Sequence, residues 1–199
     1  MRTSRLLRQI WDGRRIVILD LETTGLPPRN PQEKFEHRIV EICALEMINF
    51  ELTGRSFNKL VNPRRKIPIE ASEIHGIYDR DIPSIPKNQI FRNIKADMLE
   101  FIGNDVIVAH NTSFDRQFIN YQIGRADQIL PKSQWICTMG LARKILKLDG
   151  KQSGPSLDYL CDIFELDCSC RMFHRADKDA LILAKILIEL KKRKFMSES

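Results

Sequence analysis

"RRIVILDLETTGLP", Arg14 to Pro27, is an apolar, β-branched run with Asp12-Gly13 before it and a Thr-Thr-Gly-Leu-Pro-Pro segment closing it. Such a run reads as a central strand. It nevertheless carries two acids, Asp20 and Glu22, where burying charge is costly, and no Lys or Arg stands between them. Residues two apart on a strand face one side, which sets the two carboxylates about 6.5 Å apart along the chain. Acids that close repel each other unless a cation lies between them. A hard divalent cation such as Mg2+ takes oxygen ligands, commonly one or two carboxylates with water and substrate phosphate. Taken alone, the pair reads equally well as an edge strand with two solvated acids.

The elements around this strand predict an α/β layered domain with a mixed sheet. "RIVEICALEMI" (Arg38 to Ile48) and "SFNKLVNP" (Ser56 to Pro63) read as the next two strands. A Pro-rich connection leads to a helix with Ile90, Phe91, Ile94, Met98, Leu99 and Ile102 near helical spacing and Gly103 as its stop. "VIVAH" is a short buried strand, followed by a helix over 112–123 and another short strand at "WICT". "MGLARKILKL" and "LDYLCDIF" are helices, the second capped by Ser156, and the last long helix runs over about 176–192 with Leu181, Ala184, Leu187 and Ile188 as its apolar stripe.

With 199 residues, 43% of them hydrophobic, the chain can bury one good core and is short for two domains. No run approaches the roughly 18 apolar residues of a membrane span, and no signal-peptide core follows the N-terminus. The Arg-rich opening, "MRTSRLLRQIWDGRR", has the composition of a transit peptide but is short and runs almost directly into the first strand. Five scattered cysteines, an odd number, predict reduced thiols and a cytoplasmic protein. A formal charge of +6, with basic clusters at Arg2–Arg15, Pro63–Lys66 and Lys191–Lys194, is compatible with a polyanionic partner or with solvated basic surface.

Further acids follow the short strand. "AHNTSFD" places Asp115 in the first turns of a helix; Asn111, four residues earlier, either shares its face or serves as the N-cap. In "FHRADKDA", His174 precedes the last helix and Asp179 falls in its first turns, so both can reach one site from neighbouring backbone. Cys161, Cys168, Cys170 and His174 raise the alternative of tetrahedral zinc, but their spacing lacks the short pairs of common zinc folds.

"DLETTG", "HNTSFD" and "HRADKDA" together resemble, in order, the three exonuclease motifs of the DnaQ-like DEDDh family. "VNPRRKIPIEASEIHGI" and "PSLDYLC" resemble two lesser blocks of that family, while Cys137 stands where many relatives carry Asp. The resemblance implies an RNase H-like fold, a central mixed five-stranded sheet flanked by helices, within a single exonuclease domain over 1–199 whose catalytic core spans about 14–192. It implies that Asp20, Glu22, Asp115 and Asp179 bind two divalent cations, Mg2+ or Mn2+, with Asp20 bridging. His174 would be the general base, and family spacing selects Asp179 over Asp177. Thr23, Thr24, Glu70 and His75 would lie along the 3′-terminal nucleotide, with Asn111 nearby; Gly25 would let backbone approach it, and Leu26 would pack on its base.

The implied reaction is 3′–5′ release of nucleoside 5′-monophosphates from a single-stranded or frayed 3′ end, DNA favoured, in proofreading or repair. The implied partner is a replicative polymerase, with no membrane involved; the little chain beyond the last helix leaves a free-standing enzyme open. An RNA-trimming exoribonuclease is the alternative within the class, and an inactive nucleic-acid-binding or tethering module the alternative outside it. The latter would be expected to have lost an acid or the histidine, and all five are present.

Overall fold

The computed structural model describes residues 2–30, 32–124, 129–148, 154–169 and 172–196. Five strands, β1 (Ile16–Thr23), β2 (Ile39–Ile48), β3 (Glu51–Leu60), β4 (Val106–Ala109) and β5 (Trp135–Cys137), form one sheet in the order β3-β2-β1-β4-β5. β1 pairs antiparallel with β2 and β2 with β3, whereas β1–β4 and β4–β5 are parallel. The doubly apolar run therefore occupies the centre of a mixed sheet: Val17, Ile18 and Leu19 are completely buried. Burial of that kind stabilises by about 1.5–3 kcal/mol per side chain.

The pleat of β1 sorts its residues between two layers. Val17, Leu19 and Leu21 pack with Phe91, Ile94, Met98 and Ile102 of α3 (Phe91–Ile102) and with Phe118 and Ile119 of α4 (Thr112–Ile123). Ile16 and Ile18 pack on the opposite face, against α5 (Thr138–Ile145), α6 (Leu157–Ile163) and α7 (Ala176–Met196). Asp20 and Glu22 continue the series of Ile16 and Ile18, so they project on the α7 side.

Several expectations are corrected. The Arg-rich opening is a helix, α1 (Arg2–Trp11), and Ile10 is buried in the same core as α7, so its end is part of the folded body. β3 begins at Glu51, five residues before the expected start, because the tight turn at Asn49–Phe50, both at positive φ, pairs Glu51 with Ile48. The Pro-rich connection holds a short helix, α2 (Ile69–His75), and a 3-10 segment, Asp79–Ser84. Leu181 is 39% exposed; the buried face of α7 runs through Ala176, Ala180, Leu183, Leu187 and Leu190. Cys161 and Cys168 form a disulfide, against the expectation of reduced thiols, because α6 and the loop after it bring two cysteines seven residues apart together. That bond removes both from any zinc site, and Cys170 lies outside the described residues. Among the described residues no helix is long and apolar enough to cross a membrane.

A buried acid on β2, Glu46, is held by Arg15, by the Thr53 hydroxyl (2.9 Å) and by Arg55 (3.0 Å). The Arg15 hydrogen bond, chiefly, keeps its carboxyl below the ordinary range. A depressed folded-state value stabilises above the unfolded value, near 4.3, and the benefit fades as pH falls through the folded value. Glu46→Gln is therefore expected to lower the urea midpoint at pH 7, by an equivalent of about 1 kcal/mol. The gap to wild type should narrow as pH falls below the unfolded value and through the lowered folded value; an equal gap at pH 7 and in acid would refute this.

Candidate active site

Asp20 and Glu22 leave β1 beside the start of α7, where Asp179 lies in the first turn, and oxygen atoms of all three carboxylates fall within 4.8 Å of one another. Glu22 and Asp179 are buried and Asp20 is half-buried. The donor set is hard oxygen throughout, and carboxylates so close together, two of them withdrawn from water, suit a divalent cation far better than they suit each other. The neighbouring thiol registers the same field. Cys43, opposite Asp20 in the β1–β2 ladder, is pushed up to about 12 by burial and then by Asp177, Asp20 and Glu41.

Asp115 arrives from the other layer. β4 runs parallel to β1, so the start of α4 sits beyond the same edge of the sheet as Asp20 and Glu22. Asp115 is 2% exposed, and burial pushes its carboxyl up to about 8. It is not one of the three acids that lie within 4.8 Å of each other. Asn111 takes the N-cap position with a left-handed backbone (φ 59°), makes no side-chain cap bond, and is exposed, so it does not share the helical face of Asp115.

His174 is 46% exposed in its side chain, and its Nδ1 lies 3.5 Å from Asp179 Oδ2. Its loop is held from below: the His174 N–H donates to the Ile74 carbonyl (2.9 Å) at the end of α2. Gly76, at φ 70°, closes α2, and a β-carbon there would come within 2.9 Å of the Phe173 ring. Only glycine meets both demands. The His-Gly-Ile turn and the His174 loop are thus one packed unit. Within it His75 is buried, its Nδ1 accepts from the Ile77 N–H (3.0 Å), and burial holds the imidazole below its usual range. The ring proton therefore sits on Nε2, which is buried and faces the Thr23 backbone.

The turn after β1 is stapled to the strand that follows. A register shift between Glu22 and Thr23 marks a bulge, a device that re-aims side chains beside sites. Thr24 is completely buried; its N–H donates to the Arg38 carbonyl (2.8 Å), and its hydroxyl accepts from the Arg38 N–H (3.0 Å) and meets His37 Nδ1 at 3.2 Å. The Thr23 hydroxyl donates to the Gly25 carbonyl (2.6 Å). A β-carbon at Gly25, φ 152°, would lie 2.4 Å from the His37 ring, so this turn needs glycine. Leu26, beyond it, is 68% exposed, and Glu70 is exposed in the first turn of α2.

Sequence reasoning missed Glu41 and Arg175. Glu41 is 2% exposed and stands directly opposite Glu22 in the ladder, a like-charge pairing that is unfavourable by itself. Arg175 answers it with a two-pronged bond, Nε to Oε2 at 2.9 Å and an Nη2 contact to Oε1 at 2.6 Å, and the Ala176 N–H donates to Oε2 at 3.0 Å. One carboxylate thereby anchors the residue next to His174 and the first amide of α7. The available signal was the one used at Asp20: an acid inside an apolar strand. Glu41→Ala should destabilise by about 2–3 kcal/mol in urea unfolding, below the range for a fully buried pair because Arg175 is 38% exposed. The double variant Glu41→Leu/Arg175→Met should regain most of the loss, and a single variant within about 0.5 kcal/mol of wild type would count against the anchor.

A sheet of order β3-β2-β1-β4-β5 with helices on both faces and a carboxylate cluster at the end of its central strand is an RNase H-like fold. A family model described as exonuclease, of the RNase T type, matches residues 17–187. The chain is 42% identical over 180 residues to the DNA polymerase III subunit epsilon of Rickettsia conorii, covering 88% of this chain and 73% of that protein. The Salmonella typhimurium subunit is 36% identical over 180 residues, covering 88% and 71%. Among solved structures, exonuclease X in complex with 5′ overhanging duplex DNA matches with a TM-score of 0.61 at 28% identity, covering 89% of this chain and 91% of that one. The nuclease domain of 3′hExo, a DEDDh family member bound to rAMP, matches in fold with a TM-score of 0.69 at 18% identity, covering 89% and 92%. The chain belongs to the DnaQ-like 3′–5′ exonuclease family.

Proposed function

We propose that this exonuclease releases nucleoside 5′-monophosphates from single-stranded or frayed 3′ ends of DNA, in proofreading or repair, with two divalent cations, Mg2+ or Mn2+, held by Asp20, Glu22, Asp115 and Asp179. The observation that carries the reading is the Asp20, Glu22 and Asp179 cluster, with His174 beside it. Bound divalent cations supply an activated water and charge stabilisation at the scissile phosphate. Asp20 and Glu22 face that phosphate from one strand, and Asp179 from the helix start. Asp115, at the N-terminus of α4, completes the set from the other layer.

His174 takes the proton of the attacking water; its exposure lets it reach the site's open side, and its bond to Ile74 limits how far it can stray. The terminal nucleotide lies over the Thr23–Leu26 turn. Thr24 contributes by fixing that turn, Leu26 by offering an exposed apolar surface to the base, and His75 by supporting the turn from beneath Thr23. Glu70 and Asn111 stand exposed at the same end. The reading takes one exonuclease domain over about 14–192.

DNA is favoured over RNA because relatives at 36–42% identity are polymerase III epsilon subunits and a solved relative at 28% holds duplex DNA with a 5′ overhang. A replicative polymerase is then the partner, in the cytoplasm. Side-by-side assays on 3′-labelled single-stranded DNA, mismatched duplex and short RNA, with Mg2+ or Mn2+, test the reading. Mononucleotide release fastest from DNA supports it; faster release from RNA would favour an RNA-trimming enzyme, and none from any substrate an inactive binding module. Recovery of a polymerase catalytic subunit in pull-down would support the partnership.

A further inference from the structure

Beyond the site itself, a groove of about 510 Å³ runs between the β1–β2 loop and the loop after β3. Lys34, Arg38, Arg64, Arg65 and Lys66 line it against a single acid, Glu36. Among the described residues none of these five cations is paired with a carboxylate, whereas Arg15, Arg55 and Arg175 each are. Their local bonds order the walls without cancelling charge: Arg38 donates to the carbonyls of Phe35 (3.1 Å), Glu36 (3.2 Å) and His37 (2.9 Å), and Arg65 to that of Glu36. Carbonyl dipoles carry no net charge, so the groove keeps its excess of cations.

The groove is tied to the turn that follows the site's acids. Arg38 exchanges backbone bonds with Thr24, two residues and roughly 7 Å of extended chain beyond Glu22. Phe35 stands on the crest between this groove and a second one of about 500 Å³, where its ring stacks at 4.2 Å on that of Tyr121 and Arg38 lies 5.2 Å from the Tyr121 ring centre. Tyr121 is 43% exposed. A positive groove flanked by a stacking platform is the combination that follows a single strand, phosphates on one side and bases on the other. The C-terminal basic cluster lies far from the site. Lys191 caps the Phe50 ring at 3.7 Å, Lys194 lies over Trp11, and both sit near the β2–β3 turn, at the opposite end of the sheet from Glu22 and Glu41.

We propose that the Lys34–Arg38–Arg64–Arg65–Lys66 groove is the track that binds the phosphates of the single strand upstream of its terminal nucleotide, with Phe35 and Tyr121 as the platform for a base. The track rests on the exonuclease reading for its ligand, and a binding measurement separates the two. The probes are a labelled single-stranded DNA of about 20 nucleotides and the p-nitrophenyl ester of thymidine 5′-monophosphate, which is too small to reach the groove.

For Arg64→Gln/Arg65→Gln/Lys66→Gln, the oligonucleotide KM and its Kd in EDTA should rise on the order of tenfold or more at physiological salt. The slope of log Kd against log salt should fall by about two. Hydrolysis of the small ester and the oligonucleotide kcat should be unchanged. Lys192→Gln/Arg193→Gln, at the far end of α7, should change none of these. Unaltered oligonucleotide binding in the triple variant overturns the track, as does an equal loss on the small ester. An inert wild type whose DNA binding still weakens in the triple variant sinks the hydrolytic reading and keeps the track.

Discussion

Asp20→Ala lowers 3′ mononucleotide release by on the order of 10³-fold or more. Asp20 faces Glu22 and Asp179 within 4.8 Å, and loss of its carboxylate would remove one of the residues proposed to hold the cations. A bound divalent cation would contribute several kcal/mol of charge stabilisation at a phosphate, and each 1.36 kcal/mol is tenfold in rate. The fold should not suffer in proportion: two crowded acids repel, so in EDTA the variant is expected to unfold at the same urea concentration as wild type or a higher one. Added Mg2+ or Mn2+ should raise the wild-type midpoint by linkage and leave that of the variant nearly unmoved. Retained activity, or an equal metal-dependent shift in both proteins, would refute the assignment.

Replacement of His174 by Gln has the second-largest effect, a fall in kcat of about 10²–10⁴-fold, the usual worth of a positioned general base. Because the side chain is 46% exposed and meets Asp179 only at 3.5 Å, its loss costs little packing. DNA affinity in EDTA and the metal-dependent rise in stability should therefore persist. That pattern, kcat lost with binding kept, separates a base from a ligand or an anchor. A variant that loses metal-dependent stabilisation along with activity would place His174 among the cation's ligands instead.

Much of this was legible because the chemistry demanded exceptions to ordinary patterning. Asp20 and Glu22 interrupt a buried strand, and period two alone set them on one side. The Gly103 stop of α3 and the Ser156 cap of α6 were equally local: the Ser156 hydroxyl accepts from the Tyr159 N–H at 3.1 Å. α1 was missed because its Arg-rich composition resembles a targeting segment, and its docking through Ile10 depends on a core assembled from distant chain. α2 was missed because a seven-residue helix between prolines has too few turns to show a period.

The sequence by itself determined the sheet's central strand and the placing of Asp20 and Glu22 on one side of it, because these depend on periodicity and residue type along the chain; the four-acid set was an implication of the resemblance. Only the tertiary structure decided that Asp20, Glu22 and Asp179 meet while Asp115 approaches from the opposite layer. It also decided that Glu41, facing Glu22, is answered by Arg175, 134 residues away, that Cys161 and Cys168 are joined, and that two loops bring five cations into one groove. The physical reason is common to all of these. Pair geometry between remote residues is set by strand register and helix docking, which no local window of sequence contains.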